Sequence, residues 1–160
     1  IINADYLRHL YGETLKYTPI TGYLYVWIGG FALFAFLITL VREIVKDIED
    51  INGDRELECR TMPIVWGIKA SKIIVTIFLV ATVVLIAYIA FDVLPFPYTW
   101  QSFSSRYIIF GLITPIICAI ALLWASKTPL EYRRTQLIIK FVMFMGMLYG
   151  FVIQQNLLTL

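Results

Sequence analysis

Four long, continuously apolar stretches decide most of what this chain can become. They run at about 23–41 (YLYVWIGGFALFAFLITLV), 73–90, 107–125 and 137–153. A hydrocarbon core about 30 Å thick takes roughly 20 residues of helix to cross, and each stretch comes close to that. Inside lipid the backbone must satisfy its own hydrogen bonds, which leaves only helices and closed barrels. Barrel strands alternate in polarity and these runs do not. The expected fold is therefore all-α: a polytopic transmembrane helical bundle of about four spans, one domain over 1–160. Composition agrees, since 60% of the 160 residues are hydrophobic and 15% are charged. A soluble domain of this size could not hide that much hydrocarbon.

The basic residues orient the bundle. Arg42, Lys46, Arg55, Arg60, Lys69 and Lys72 lie between the first two stretches, and Lys127, Arg133 and Arg134 between the last two, with Lys140 just beyond. Only Arg106 lies in the middle connection, and only Arg8 and Lys16 precede the first stretch. Lys and Arg collect on the cytoplasmic side, so segment 42–72 is expected there, in the cytoplasmic (inner) membrane, with the Pro95–Ser105 loop outside. Tyr23, Tyr25, Trp27, Trp124 and Tyr132 stand at the expected headgroup depth. Pro115 is expected to kink the third span, while Gly29-Gly30 and the Gly146/Gly150 pair suggest close helix contacts. Cys118 reads as a small buried apolar residue and Cys59 as an incidental loop thiol, with no disulfide between them. His9 reads as a surface residue and Asp92 as an interface residue. The formal net charge of +2 names no partner, and no nucleic acid is expected.

Chemistry concentrates in Arg42–Gly67, REIVKDIEDINGDRELECRTMPIVWG, where seven of the eleven acidic residues fall between Glu43 and Glu58. If the first helix continues through it, Glu43, Asp47, Asp50 and Asp54 share an arc of roughly 60°. Ile44, Ile48 and Ile51 make an adjoining apolar stripe, and Arg42 and Lys46 lie on the other flank. Asn52-Gly53 reads as a helix stop, which would put Asp54 on a turn. Carboxylates stacked this closely repel one another, and at a helix C-terminus the macrodipole adds to the cost. A divalent cation relieves both. Mg²⁺ takes one or two carboxylates together with substrate phosphate oxygens, and Arg42, Lys46, Arg55 and Arg60 stand ready to hold those oxygens. The competing reading is a solvated mixed-charge loop with ion pairs such as Lys46–Asp50.

The pattern RExVKDxEDxxGDRxxxxRTxPIxxG resembles the second Asp-rich motif of the UbiA superfamily of intramembrane prenyltransferases. It is most similar to the branch of geranylgeranylglycerol-phosphate geranylgeranyltransferases. The flanking FALFAFLITLV and GIKASKIIV, and the later KTPLEYRR and LIIKFVMFMGML, resemble the same family. The resemblance implies a nine-helix fold with two Asp-rich motifs that hold Mg²⁺ and the diphosphate of a prenyl donor. Ionisation of that donor gives an allylic cation, which a lipid or aromatic acceptor attacks. Carried over by position, Asp50 and Asp54 match the metal-binding aspartates, with Asp47 as a third. Lys46 opens the KxxxDxxxD run, and the resemblance gives Asp50, Asp54 and Lys46 catalytic roles. Arg60 would contact the diphosphate or anchor the loop.

The family's first motif, an NDxxDxxxD run, has no counterpart here. The chain opens Ile1-Ile2-Asn3, without Met or a basic leader. The resemblance therefore implies the C-terminal portion of the enzyme, expected to be inactive without an N-terminal half that carries the first motif. A membrane transporter or channel module with an acidic cation-binding helix end is the alternative. It would place ionisable groups near the bilayer midplane, where this chain has almost none.

Overall fold

A computed structural model describes residues 20–89 and 103–158. The expectations for His9, Asp92 and most of the outer loop, and for the side chains of Tyr23 and Trp27, lie outside the described residues. Helices α1 (Ile20–Glu49), α2 (Ile51–Glu56), α3 (Met62–Val65), α4 (Ile68–Tyr88) and α5 (Phe103–Tyr107) are followed by a π-helical segment, Ile108–Ile113. Helices α6 (Thr114–Ala125) and α7 (Pro129–Leu158) complete the order. Among the described residues there is no strand.

Among the described residues three segments are long and apolar enough to cross a membrane: Ile28–Glu49, Ile68–Tyr88 and Ser105–Ala125. Only 28% of each is buried, so most of their apolar surface faces outward. On α4 the outward stripe is Ile73, Ile77, Val80, Val84 and Tyr88, and the inward one is Val75, Leu79, Thr82 and Ile86. Both have helical spacing and both are largely apolar, which suits a helix with protein on one side and lipid on the other. The chain is an integral membrane protein. The remaining apolar stretch, 137–153, lies within the 30-residue helix α7.

Contacts divide the chain after Leu33. Before that point, Tyr25 and Ile28 of α1 are exposed. From Phe34 onward the chain packs as a second unit, which holds the candidate site. There α1 buries Ile38, Val41, Ile44, Val45 and Ile48, among them Ile44 and Ile48 of the apolar stripe that the spacing predicts. It runs antiparallel to α7. Phe34 meets Gly146, while Arg42, Lys46, Glu49 and Asp50 face Lys140 and Gln136, earlier on α7. A Cβ at Gly146 would lie 2.3 Å from the Phe34 ring, so this approach depends on glycine. Among the described residues Gly29 and Gly150 have no such neighbour within 4 Å.

Pro115 acts through the π-helical segment before it. Proline has no N–H to give the preceding turn. The ladder widens over Ile108–Ile113, and Thr114 Oγ1 donates to the Ile109 carbonyl at 2.9 Å. Elsewhere hydroxyls find partners within their own helix: Thr76 Oγ1 donates to the Lys72 carbonyl and Thr82 Oγ1 to Phe78, both at 2.8 Å. Such bonds are how polar side chains stay satisfied within lipid.

Cys118 and Phe103–Ser105 depart from expectation, and Tyr132 gains a partner that the sequence does not show. Cys118 is exposed, because its place on α6 turns it outward. Tyr132 is buried, its hydroxyl held by the Ser126 carbonyl at 3.0 Å. Phe103–Ser105, placed in the outer loop, already belong to α5.

Candidate active site

The acidic segment is built on the end of α1, and the helical ladder does not stop where Asn52-Gly53 suggested. Asp50 leaves helical geometry at φ −89°, ψ 7°. The bonding nevertheless continues: Asp50 N–H donates to the Lys46 carbonyl at 2.9 Å, and Asp54 N–H to Asp50 at 3.0 Å. Gly53 lies inside α2, and Asp54 sits on helix rather than on a turn. The stop comes at Glu58, which adopts a left-handed φ of 53°. There Cys59 N–H reaches back to the Asp54 carbonyl at 2.9 Å, and Glu58 N–H to Arg55 at 3.3 Å. That bond pair is a Schellman closure. A glycine-based stop signal could not locate it, because a glutamate occupies the left-handed position.

Continuity keeps the acidic stripe on one face. The half-buried Asp47 carboxylate stands in the repulsive field of Asp54, Glu43 and Asp50, opposed by Lys46. The Asp50 side chain makes no capping hydrogen bond. However, Asp47, Asp50 and Asp54, expected as metal ligands, do not close on a single point. Among the described residues no group of three or more Asp, Glu, His or Cys side chains lies close enough to hold one ion. The reason is helical rise: residues 47 to 54 spread over about 10 Å of axis, at about 1.5 Å per residue.

The adjoining face of α1 opens onto a cleft of about 240 Å³, lined by Arg42, Lys46, Glu49 and Asp50 of the α1 end and by Gln136 and Lys140 of α7. Of the residues expected to bind diphosphate, Arg42 and Lys46 are here. Arg55 and Arg60 are exposed outside the cleft, and the half-buried Asp47 and Asp54 do not line it either. The Lys46–Asp50 ion pair of the competing reading does not form; among the described residues the ion pair is Arg42 with Glu43.

A profile described as the UbiA prenyltransferase family matches residues 14–148. The chain belongs to this family. Relatives named digeranylgeranylglyceryl phosphate synthase include one from Thermococcus sibiricus, 40% identical over 102 residues, covering 52% of this chain and 37% of the relative. Another, from Methanopyrus kandleri, is 30% identical over 161 residues, covering 89% of this chain and 56% of the relative. A third, from Methanobrevibacter smithii, is 28% identical, covering 90% and 58%. The chain thus spans less than two thirds of the length of these relatives. No solved structure matches it.

Within this UbiA-family chain, sequence reasoning missed Glu49 and Gln136 in the cleft and placed Lys140 only among the basic residues that orient the bundle. Gln136 carries no charge, so charge clustering could not find it. The spacing of Gln136 and Lys140, one turn apart on α7, was the available signal. Lys72 was counted only as an orienting charge. It is 8% exposed, its Nζ donates to the Ser126 carbonyl at 2.8 Å, and it lies 5.1 Å from the centre of the Tyr132 ring. Trp124 Nε1 donates to Thr76 Oγ1 at 3.1 Å beside it. These contacts tie α4, α6 and α7 together near the candidate site.

Proposed function

We propose that this chain is the C-terminal portion of a Mg²⁺-dependent prenyltransferase, moving a geranylgeranyl group from its diphosphate to a glyceryl phosphate lipid. The observation that carries the reading is one helix end that presents two adjoining faces, one acidic and one that brings Arg42 and Lys46, beside Glu49 and Asp50, to the cleft. Family membership supports the reaction class, and the names of the relatives support the donor and acceptor. All four apolar stretches cross the cytoplasmic membrane in this reading, with segment 42–72 on the cytoplasmic side.

The donor set fits Mg²⁺. Its carboxylates are hard oxygen ligands that repel one another, and a pair of them suffices when phosphate oxygens and water complete the shell. Asp50 and Asp54, with Asp47 beside them, would hold the ion. A second acidic motif outside these 160 residues would complete the site. The bound metal would neutralise charge on the departing diphosphate.

The remaining work falls to the chain's own side chains. Breaking the donor's C–O bond leaves negative charge on the diphosphate, where Lys46 and Arg42 are placed to receive it. Arg55 and Arg60, exposed on the same segment, form an outer positive rim. The acceptor hydroxyl oxygen then bonds to the allylic carbon, and its proton passes to the released diphosphate.

The test is product formation. The longer protein in lipid nanodiscs, given geranylgeranyl diphosphate and geranylgeranylglyceryl phosphate, is expected to yield the doubly prenylated lipid by mass spectrometry, and to stop when the metal is chelated. Absence of that product, with the protein folded and supplied with Mg²⁺, rejects the proposal.

A further inference from the structure

The cleft between α1 and α7 holds buried donor atoms that have no hydrogen-bond partner among the described residues. Gln136 is 7% exposed, and its Nε2 is buried without a hydrogen-bond partner. Arg42 pairs with Glu43 through Nη2 but leaves Nε buried and unpartnered. Lys46 and Lys140 line the same space and form no ion pair among the described residues. An unpaired buried donor is costly, and its usual explanation is a partner absent from the protein itself.

We infer that this cleft is a phosphate-binding site, in which Gln136 and Lys140 of α7 join Arg42 and Lys46 of α1 around one phosphate-bearing ligand. Each helix contributes residues four apart, which places both members of a pair on one side of the helix. Because α1 and α7 run antiparallel, the two pairs face each other. A phosphate oxygen only accepts, and every one of these four side chains can donate. The cleft measures about 240 Å³ against about 30 Å³ for a water molecule, which leaves room for a diphosphate. Glu49 and Asp50 also line it. They repel a bare anion on their side and so direct the phosphate toward α7.

Two sources share this chemistry: the diphosphate of a prenyl donor and the phosphomonoester of a glyceryl phosphate acceptor. Only that identity rests on the function proposed above; the site itself does not.

The test is calorimetric titration of the full chain in detergent, without divalent metal, using inorganic pyrophosphate and glycerol phosphate. Saturable binding is expected, with affinity falling about tenfold or more in Lys140→Gln and in Gln136→Leu. Lys140→Arg is expected to stay within about threefold and guards against misfolding, and the exposed Lys69→Gln is expected to bind like the parent. Tighter binding of pyrophosphate assigns the site to the leaving group, and tighter binding of glycerol phosphate assigns it to the acceptor. If neither anion saturates, or if both cleft variants bind like the parent, the inference is overturned. Should the cleft variants bind normally while the longer protein still makes prenylated lipid, only the cleft assignment fails. If anion binding depends on Lys140 and Gln136 but no prenylated product forms, the cleft stands and the proposed reaction fails.

Discussion

Lys72 keeps a buried position in a membrane bundle with no carboxylate paired to it among the described residues, because a carbonyl and a ring take that place. Its ammonium donates to the Ser126 carbonyl while resting over Tyr132, whose hydroxyl donates to the same carbonyl. Lys72→Ala is expected to cost about 2–3 kcal/mol, for a hydrogen bond from a charged group and lost packing. Tyr132→Phe is expected to cost about 1 kcal/mol. Denaturation in mixed micelles measures both, and equal stability of Lys72→Ala and the parent would contradict the account. Glu131 behaves differently. It takes the back-bonding place of a capping box at the start of α7, accepting from the backbone N–H groups of Lys127 at 2.6 Å and Thr128 at 3.0 Å. Those bonds hold its carboxyl below the usual value of 4.5. A carboxyl lowered on folding stabilises the protein above its unfolded value and loses that contribution as pH falls through the folded one. Glu131→Gln should therefore be less stable than the parent at neutral pH, with the gap closing below about pH 4.5. A gap that widens on acidification would show the sign to be wrong. The Thr128-Pro129-Leu130-Glu131 spacing was legible in the sequence. The burial of Lys72 was not, since nothing local distinguishes a lysine that orients a loop from one held between helices.

Where helices end depended on geometry that residue type misreports. Asn52-Gly53 has stop-signal chemistry, yet the ladder passes through it and closes at Glu58, against that residue's intrinsic preference. Glu58→Gly should thus raise stability by about 1 kcal/mol by removing a left-handed non-glycine residue. Gly67 is the reverse case. It precedes α4 at φ 86°, ψ 157°, a region open essentially to glycine alone, and Gly67→Ala should cost about 1–3 kcal/mol. Both effects are measurable as shifts in denaturation midpoint, and shifts of opposite sign would refute the backbone argument. Gly146→Ala tests the approach of α1 to α7. Its methyl would collide with the Phe34 ring, for an expected cost of about 1–3 kcal/mol. Adding Phe34→Ala should make the second substitution nearly free of that penalty. The apolar stripe of Ile44, Ile48 and Ile51 could be read from spacing alone, and the structure buries its first two members. The antiparallel partner of α1 could not, because periodicity identifies a buried face without naming what covers it.

At the scale of the molecule, composition and run length were enough to reveal a helical membrane protein. The cleft was only half legible: Arg42, Lys46 and Asp50 announced themselves through clustering, whereas Gln136 and Lys140 come from sequence more than eighty residues away. The proposed orientation has a direct readout in Cys59, an exposed thiol in the acidic segment. A membrane-impermeant maleimide should label it in inside-out vesicles and not in intact cells. Cys118, exposed on a span that faces lipid, should resist the reagent in both. The central claim is that carboxylates at the end of α1 hold the metal that takes charge from the leaving diphosphate. Its most direct test is metal-dependent diphosphate release by the longer protein carrying Asp50→Asn or Asp54→Asn. Each substitution is expected to reduce the rate by about a hundredfold or more, following the loss of one charge-stabilising ligand. Release at the parent rate from both variants, with the same metal requirement, would contradict it.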